Sequence, residues 1–415
     1  MKLSEKQWKR VDVARRVVRR QLTVAEAAVI LGVSVRQAQR ICQAVGEQGV
    51  AAVVHGNSNR APANKLEPKQ RKQIVALRKE KYLGFNDQHF TEKLVEVEKV
   101  SVSRATVQRL LRSEGIKSPQ RRRPKKHRKR RERKAQAGLM LQWDGSPHAW
   151  LEERGPSLCL MGALDDATGE LLKGAHFVEQ ECAAAYLQLL LQIVEVHGIP
   201  HAIYMDRHGS LKRNDDYWTV EEELRGEQDP THVGKALRLL DINPIYALSA
   251  QGKGRVERMW RTFQDRLVSE LRLAGASTVA EANAVLEKFR PDFNQRFAVP
   301  PLETESAWRK PQKATDLVRV CSFYYESTVL NDNTIRFSGV TIDIPPGPKR
   351  RSYAQAVVEV RQLLDGSWRV YHRDTCIATQ ASTEAGELRA KPRRKRSAAS
   401  RAFRRAVSNV TVSLP

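Results

Sequence analysis

Cysteine is scarce in this chain: five in 415 residues, at Cys42, Cys159, Cys182, Cys321 and Cys376, each isolated and none in a CxxC pair. With no histidines at zinc-ligand spacing around them, both a disulfide framework and a zinc finger are argued against. No apolar run approaches the length that crosses a bilayer, and the opening MKLSEKQWKR lacks the apolar segment of a signal peptide. The expectation is an intracellular chain with no membrane contact, cytoplasmic and associated with the nucleoid. Acidic residues are also in deficit, 47 against 72 basic ones, which leaves a formal net charge of +25. That imbalance points to a polyanionic partner, nucleic acid in preference to an anionic membrane.

The excess charge is concentrated. Arg121 to Lys134 holds 11 basic residues and one acidic, and Lys391 to Arg405 holds eight basic and none acidic. The first run reads either as a solvated link or as a segment that tracks DNA phosphates and whose affinity falls steeply with salt. The length allows roughly two to four domains. The chain reads as multidomain, with an N-terminal all-α tandem helix-turn-helix region, a central α/β mixed sheet and a C-terminal small β-barrel. The expected boundaries are 1–55 and 64–118 for the two helix-turn-helix modules, 119–137 for the basic linker, 138–310 for the α/β domain, 318–382 for the barrel and 383–415 for a disordered basic tail.

In TVAEAAVILGVSVRQAQRICQAVG, Thr23 with Glu26 and Ser34 with Gln37 match the capping box, with Gly32 in the turn between two helices. The second helix would present Arg36, Gln37 and Arg40 to base edges or phosphates while Val35, Ile41 and Val45 fill its inner side; an ordinary helical hairpin has the same pattern. The grammar repeats in FTEKLVEVEKVSVSRATVQRLLRSEGI, with a helix starting near Thr91 and another after Ser103. There Val107, Leu110 and Leu111 are apolar, and Arg104, Gln108, Arg109 and Arg112 are candidate DNA contacts. Two linked modules cover a longer site than one, because the second contact is effectively intramolecular.

From Gly138 the texture changes. LMLQWD, SLCLMGALDDATG and LLKGAHFVEQE read as strands of an antiparallel meander. A helix (CAAAYLQLLLQIVEVHG), a strand (HAIYMD), a second helix (THVGKALRLLDI), a strand (PIYAL) and the long helix QGKGRVERMWRTFQDRLVSELRL follow. That order gives a mixed sheet with helices packed against it. Five strand-like segments between 320 and 380 then suggest the barrel.

Three carboxylates fall at telling places in this order. Asp144 ends the first strand, Asp206 ends the strand after the first helix, and Glu257 lies in the opening turn of the long helix. Hard divalent cations take oxygen ligands and keep waters, so a few carboxylates at one sheet edge suffice for a site that also admits a phosphodiester. Two such ions about 4 Å apart activate an attacking oxygen and stabilise the leaving one. Two of them also have a plainer reading: Asp144 as a turn residue or a helix cap, and Glu257 as a glutamate favoured by the helix dipole. In the long helix Val256, Trp260, Phe263 and Leu267 form an apolar stripe, Glu257 sits one residue off it, and Lys253, Arg255 and Arg258 bring positive charge, candidate DNA contacts with the linker residues Arg121, Arg122, Arg123, Lys125, Lys126, Arg128, Lys129, Arg130 and Arg131. Asp165 and Asp166 read first as turn residues, and Asp215, Asp216 and Glu221 to Glu223 as a surface insertion. His208 reads either as a satisfied loop histidine or as an accessory acid, base or phosphate contact.

The strings QWDGSPHAWLEERGP, DDATGELL, MDRHGSLKR and SAQGKGRVERMWRTFQDRLVSELRLAGAST resemble the bacterial insertion-sequence transposases of the ISNCY type, in the DDE transposase and retroviral integrase superfamily. The match spans most of residues 10 to 310. It implies an RNase H-like core, N-terminal modules that bind the element's terminal inverted repeats, and a Mg²⁺-dependent reaction with two ions, for which Mn²⁺ substitutes. Its acidic triad falls on Asp144, Asp206 and Glu257. One departure is the 50 residues between Asp206 and Glu257, longer than in retroviral integrases, with the surplus at Lys212 to Thr231. The function expected is cleavage of element ends to 3′ hydroxyls and their joining to target DNA, by a homo-oligomer on double-stranded DNA. The alternatives are a catalytically inactive DNA-binding regulator and a structure-selective nuclease.

Overall fold

A computed structural model describes residues 3–54, 66–119, 131–215, 217–247, 254–313, 315–337, 339–384 and 386. The chain divides into two compact units, Met1–Gln73 and Ile74–Pro415. The first holds α1 (Glu5–Val18), α2 (Val24–Leu31) and α3 (Val35–Gln48). Each helix starts at a hydroxyl: Ser4, Thr23 and Ser34 accept from the backbone N–H three residues on, which satisfies a donor that a helix start leaves open. Gly32, at φ +62, makes the left-handed turn between α2 and α3. Val11, Ala14, Cys42, Val45 and Val53 form the core, with Ile41 packed against it. Val35, expected on the inner side, is 54% exposed; it is the first residue of α3, and the buried face begins one turn later at Ala38.

In the second unit, α4 (Pro68–Glu80), which crosses the boundary, is followed by α5 (Asp87–Glu96) and α6 (Arg104–Ser113). The helix expected to start near Thr91 starts a turn earlier. Asn86, a better cap than threonine, accepts from His89 N–H at 2.8 Å, and Thr91 lies buried mid-helix with its hydroxyl donating to the Asp87 carbonyl. Ser103 caps α6 as expected, and Val107, Leu110 and Leu111 are buried with Ile74, Tyr82, Phe85, Phe90 and Leu94.

The central sheet contains β1 (Leu141–His148), β2 (Leu158–Asp165), β3 (His176–Val178), β4 (Ala202–Met205) and β5 (Asn243–Tyr246), in the order β3-β2-β1-β4-β5. The first three strands pair antiparallel, while β4 runs parallel to β1 and β5 parallel to β4. This is the arrangement of an RNase H-like core. On one face α7 (Ala183–Val196) and α9 (His232–Leu239) bury Leu141, Trp143, Ile203 and Met205. On the other, α10 (Gly254–Leu273) and α11 (Val279–Phe297) cover Leu158, Leu160 and Leu164 with Val256, Trp260, Phe263, Leu267, Leu286 and Phe293. The expected stripe of α10 is therefore buried. α11 has no counterpart among the expected helices. Its Asn283 and Asn294 side chains bond to the backbone of Phe177 and Leu171, so the β3 edge is protected from pairing with another chain.

The segment read as a polar surface insertion holds a short helix, α8 (Val220–Arg225), whose Glu222 is buried. Burial raises its pKa, but N–H donors from Thr219 and Asp229, together with Arg213, outweigh this and lower it.

After α12 (Leu317–Val320), six strands follow: β6 (Phe323–Thr328), β7 (Thr334–Phe337), β8 (Val340–Asp343), β9 (Val357–Gln362), β10 (Trp368–His372) and β11 (Thr375–Gln380). Among the described residues they form a four-stranded antiparallel sheet, β11-β10-β9-β6, and a separate β7-β8 hairpin around one core of Val329, Ile335, Ile342, Val360, Trp368 and Val370, in place of a continuously bonded barrel. The segment expected as one strand, SWRVYHRDTCIAT, turns back at Arg373, whose φ of +57 closes the β10-β11 hairpin. The tail from 387 lies outside the described residues.

The second helical module is docked on α10. Arg266, nearly buried, holds Glu92 at 2.6 Å; Glu270 takes His89 at 2.6 Å and Lys93 at 2.8 Å; Asn86 donates to Asp265 at 2.6 Å. Arg296 of α11 adds Glu96 at 2.6 Å. Removing one member of a buried pair leaves an uncompensated charge, so these contacts tie the module firmly to the α/β domain.

Candidate active site

β1 does not finish at Asp144, as expected from the sequence; it continues to His148, paired with β2, and Asp144 lies opposite Gly162. What ends near Asp144 is the pairing with β4, whose last registered pair is Gln142 with Tyr204. Asp144 and Asp206 each lie two residues beyond that pair. They therefore occupy corresponding positions just past the end of that parallel pairing, Asp144 still within β1 and Asp206 one residue beyond β4. Side chains alternate along a strand. Because Leu141, Trp143, Ile203 and Met205 share the α7 face, Asp144 takes the opposite face, that of α10, while Asp206 follows directly on β4.

α10 reaches Asp144 directly: the Trp260 indole N–H donates to Asp144 Oδ2 at 2.9 Å. Its ring lies over Gly162, where an added Cβ would meet the indole at 2.8 Å. Only glycine at 162 lets the indole sit there unmoved. Glu257 is exposed and three residues before Trp260, one turn along the same side of the helix. The Asp206 carboxylate accepts the backbone N–H of His208 at 2.9 Å, which folds the loop after β4 back on itself.

A further carboxylate stands here that the sequence reading missed. Glu181, between β3 and α7, accepts the Tyr186 hydroxyl at 2.5 Å and lies 3.5 Å from His208 Nδ1. It presses on β1 beside Asp144, since a Cβ at Gly145 would come within 2.8 Å of Glu181 Oε2. Burial first, then Glu181, Asp206 and Asp144, push the Tyr186 phenol far above its ordinary value, so all three carboxylates act on one ring. Tyr186 in turn stacks on Trp143, the residue before Asp144, at 5.7 Å.

Asp165 and Asp166, read first as turn residues, are both buried and occupied. Asp165 accepts the N–H groups of Gly138, Ala167 and Thr168, and burial raises its pKa against them. Asp166 is held by Arg131, Arg255 and Gln142.

The candidate DNA contacts divide. Arg36, Gln37 and Arg40 are exposed on α3, and Arg104, Gln108 and Arg109 on α6. Arg112 is instead turned inward, to Asp87 at 2.5 Å and to the Ile116 carbonyl. Arg131 and Arg255 meet at Asp166, so the guanidinium expected at the mouth of the site is engaged within the protein. Arg258 is exposed, its Nε donating to the Gly254 carbonyl. Arg121, Arg122, Arg123, Lys125, Lys126, Arg128, Lys129, Arg130 and Lys253 lie outside the described residues, as does Asp216.

The donor set suits a hard divalent cation in kind, and the corresponding positions of Asp144 and Asp206 past the β1–β4 pairing suit it in place. Among the described residues no three Asp, Glu, His or Cys side chains gather closely enough to hold one ion. Glu257 is one turn from the Asp144 contact without being drawn into it. No helix among the described residues is long and apolar enough to cross a membrane.

The mixed sheet has the order of an RNase H-like core, with two aspartates just past the point where its β1–β4 pairing ends. The chain is 34% identical to the protein named "Putative transposase y4bF" from Sinorhizobium fredii, over 76% of this chain and 68% of that one. It is 32% identical to the transposase for insertion sequence IS1202 from Streptococcus pneumoniae, over 70% of this chain and 68% of that one. The chain belongs to these insertion-sequence transposases, in the DDE transposase and integrase superfamily. No protein-family model matches it. Among solved structures, the HTLV-2 integrase catalytic core domain in complex with magnesium is 16% identical, covering 36% of this chain and 85% of that one at a TM-score of 0.25. A chain of the simian T-cell lymphotropic virus intasome in complex with PP2A regulatory subunit B56 gamma is 14% identical, covering 71% and 93% at a TM-score of 0.30.

Proposed function

We propose that the protein binds the terminal inverted repeats of an insertion sequence, cleaves the ends to 3′ hydroxyls and joins these to target DNA, with Asp144, Asp206 and Glu257 as the carboxylates of the reaction. The observation that carries this reading is that Asp144 and Asp206 each lie two residues beyond the last pair of the parallel β1–β4 ladder, with Trp260 anchoring beside Asp144 the helix that bears Glu257.

Asp144 and Asp206 would hold Mg²⁺, or Mn²⁺ in its place, with Glu257 as the third carboxylate. Bound divalent ions supply Lewis acidity at the phosphate and lower the pKa of the attacking oxygen. The protein's own part is positional. The sheet fixes the two aspartates, Trp260 orients the Asp144 carboxylate, and the His208 N–H orients that of Asp206. Water attacks the phosphodiester and leaves a 3′ hydroxyl. That hydroxyl then attacks a target phosphodiester in the same site and displaces its 3′ oxygen, so no covalent enzyme intermediate and no Ser or Tyr nucleophile is needed. The exposed Arg36, Gln37 and Arg40 of α3 and Arg104, Gln108 and Arg109 of α6 read the ends as helix-turn-helix modules, and the basic linker adds sequence-independent phosphate contacts. Both ends must be held together, which calls for a homo-oligomer on DNA.

The test is a cleavage and strand-transfer assay with Mg²⁺ on a plasmid carrying the flanking ends. Asp144→Asn, Asp206→Asn and Glu257→Gln each abolish cleavage and joining while end binding is largely retained. Retained cleavage by any variant removes that residue from the set. Cleavage without joining by the wild type makes the protein a nuclease, and end binding without cleavage makes it a regulator.

A further inference from the structure

Asp166 is completely buried, yet four donors converge on its carboxylate. Oδ1 accepts from Arg131, from Arg255 Nη1 at 2.5 Å and from Gln142 Nε2 at 2.6 Å, while Oδ2 accepts the Lys134 N–H at 3.0 Å. Burial would raise its pKa, but Arg131 and Arg255 outweigh that and hold it below the usual carboxylate range. The charge is thus kept, and a kept charge in the interior is a strong tether for whatever neutralises it.

Its three side-chain partners come from segments far apart in sequence. Gln142 lies on β1 two residues before Asp144, and Arg255 lies on α10 two residues before Glu257. Arg131 and Lys134 end the basic linker, and Arg255 Nη2 binds the Arg131 carbonyl at 2.6 Å. α10 is therefore fastened to the sheet twice within its first two turns, at Arg255 through Asp166 and at Trp260 through Asp144. The two fastenings span about 7.5 Å of helix, close to the roughly 6.8 Å that separates residues 142 and 144 along a strand. Helix and strand thus run in step, and Glu257 lies between the two points. With both in place, neither sliding nor rotation of the helix is open to it.

We propose that Asp166 is a positioning residue for the reaction: through Arg255 it sets the height at which α10 presents Glu257 beside Asp144, and through Arg131 it joins the end of the DNA-tracking linker to the same point. This rests on the reading of Glu257 given above. DNA gripped by the linker is then registered against the helix that carries the third carboxylate of the same chain.

The experiment compares the full-length wild type with Asp166→Asn, Arg255→Gln and the double variant, using end-cleavage kinetics and hydrogen exchange along α10. Each single variant is expected to lower kcat by roughly 10- to 100-fold, the loss that a displacement of about 1 Å produces, with KM for end DNA unchanged. The double variant is expected to lose no more than the worse single one, because both changes break one tether. Amides of residues 257 and 258 exchange faster in every variant while those of 264–271 keep the wild-type rate. Should Asp166→Asn fail to fold, Arg255→Gln, which leaves Asp166 its Arg131 partner, carries the test. Unchanged kcat in Arg255→Gln, or additive losses in the double variant, overturns the proposal while the transposase reading stands. If the wild type cuts no DNA, the transposase reading fails by itself. The exchange data then decide the tether: protection lost only in the first turn supports it, and unaltered protection overturns it.

Discussion

Replacing Trp260 with phenylalanine tests the contact on which the geometry of the site depends. The substitution keeps an aromatic ring in the pocket formed with Phe263, Leu160 and Gly162 but deletes the N–H that donates to Asp144 at 2.9 Å. Losing a hydrogen bond to a charged acceptor costs about 1.5–3 kcal/mol. Shrinking the buried ring adds on the order of 1 kcal/mol, a fraction of the cost of full aromatic truncation. The expected destabilisation is about 2.5–4 kcal/mol, read from urea unfolding followed by circular dichroism. The two parts separate in a double-mutant cycle with Asp144→Ala, where the packing loss cancels and the bond remains. A coupling of about 1.5–3 kcal/mol is expected. A value below about 0.5 kcal/mol would mean that the indole and the carboxylate are merely adjacent, and the argument that Trp260 anchors α10 to the site would fail.

Arg266→Gln removes the nearly buried partner of Glu92 and is expected to cost about 3–5 kcal/mol and to release the second helical module, seen as new proteolytic cleavage between residues 80 and 104. Glu152 is pulled down to about 2, first by Arg272 and also by Arg154, and burial only partly opposes them. Because its folded pKa is depressed, its contribution is fully present above the unfolded value near 4.5 and is lost as pH falls toward 2. The stability difference between wild type and Glu152→Gln should therefore be constant above pH 5 and vanish by about pH 2; a difference that grows in acid would contradict the assignment. Arg36→Ala with Arg40→Ala should weaken end binding and reduce the slope of log K against log salt by about 0.9 for each phosphate left without its arginine. An unchanged slope in a mobility-shift titration would remove α3 from the phosphate-binding surface.

The parts of the fold visible in the sequence are those with local causes. Hydroxyl caps at Thr23, Ser34 and Ser103 mark helix starts, and a period near 3.6 marks the buried stripe of α10, since both depend on residues three or four apart. The start of α5 is missed because Thr91 also fits a cap, although asparagine at 86 is the better cap by propensity. The extent of β1 is hidden because Asp144 and Gly145 look like a turn, whereas β2, buried along its whole length, supplies a partner that carries the strand on to His148. In the candidate site, the positions of Asp144 and Asp206 follow from strand order. The roles of Glu181, Trp260 and Asp166 do not, because each depends on partners many residues away, such as Arg255 for Asp166. Gly145 and Gly162 carry the one usable sign: glycines inside strands, where another group comes close.

The docking of the second helical module on α10 makes that helix a ruler. Glu257 stands near one end and Glu270, which holds His89 and Lys93, lies 13 residues further on, about 20 Å along the axis. On duplex DNA that length corresponds to about six base pairs. Under the proposed function, the offset between the sequence read by α6 and the phosphate that is cut is written into the number of turns in one helix. A change in that number would move the cut relative to the bases that α6 reads.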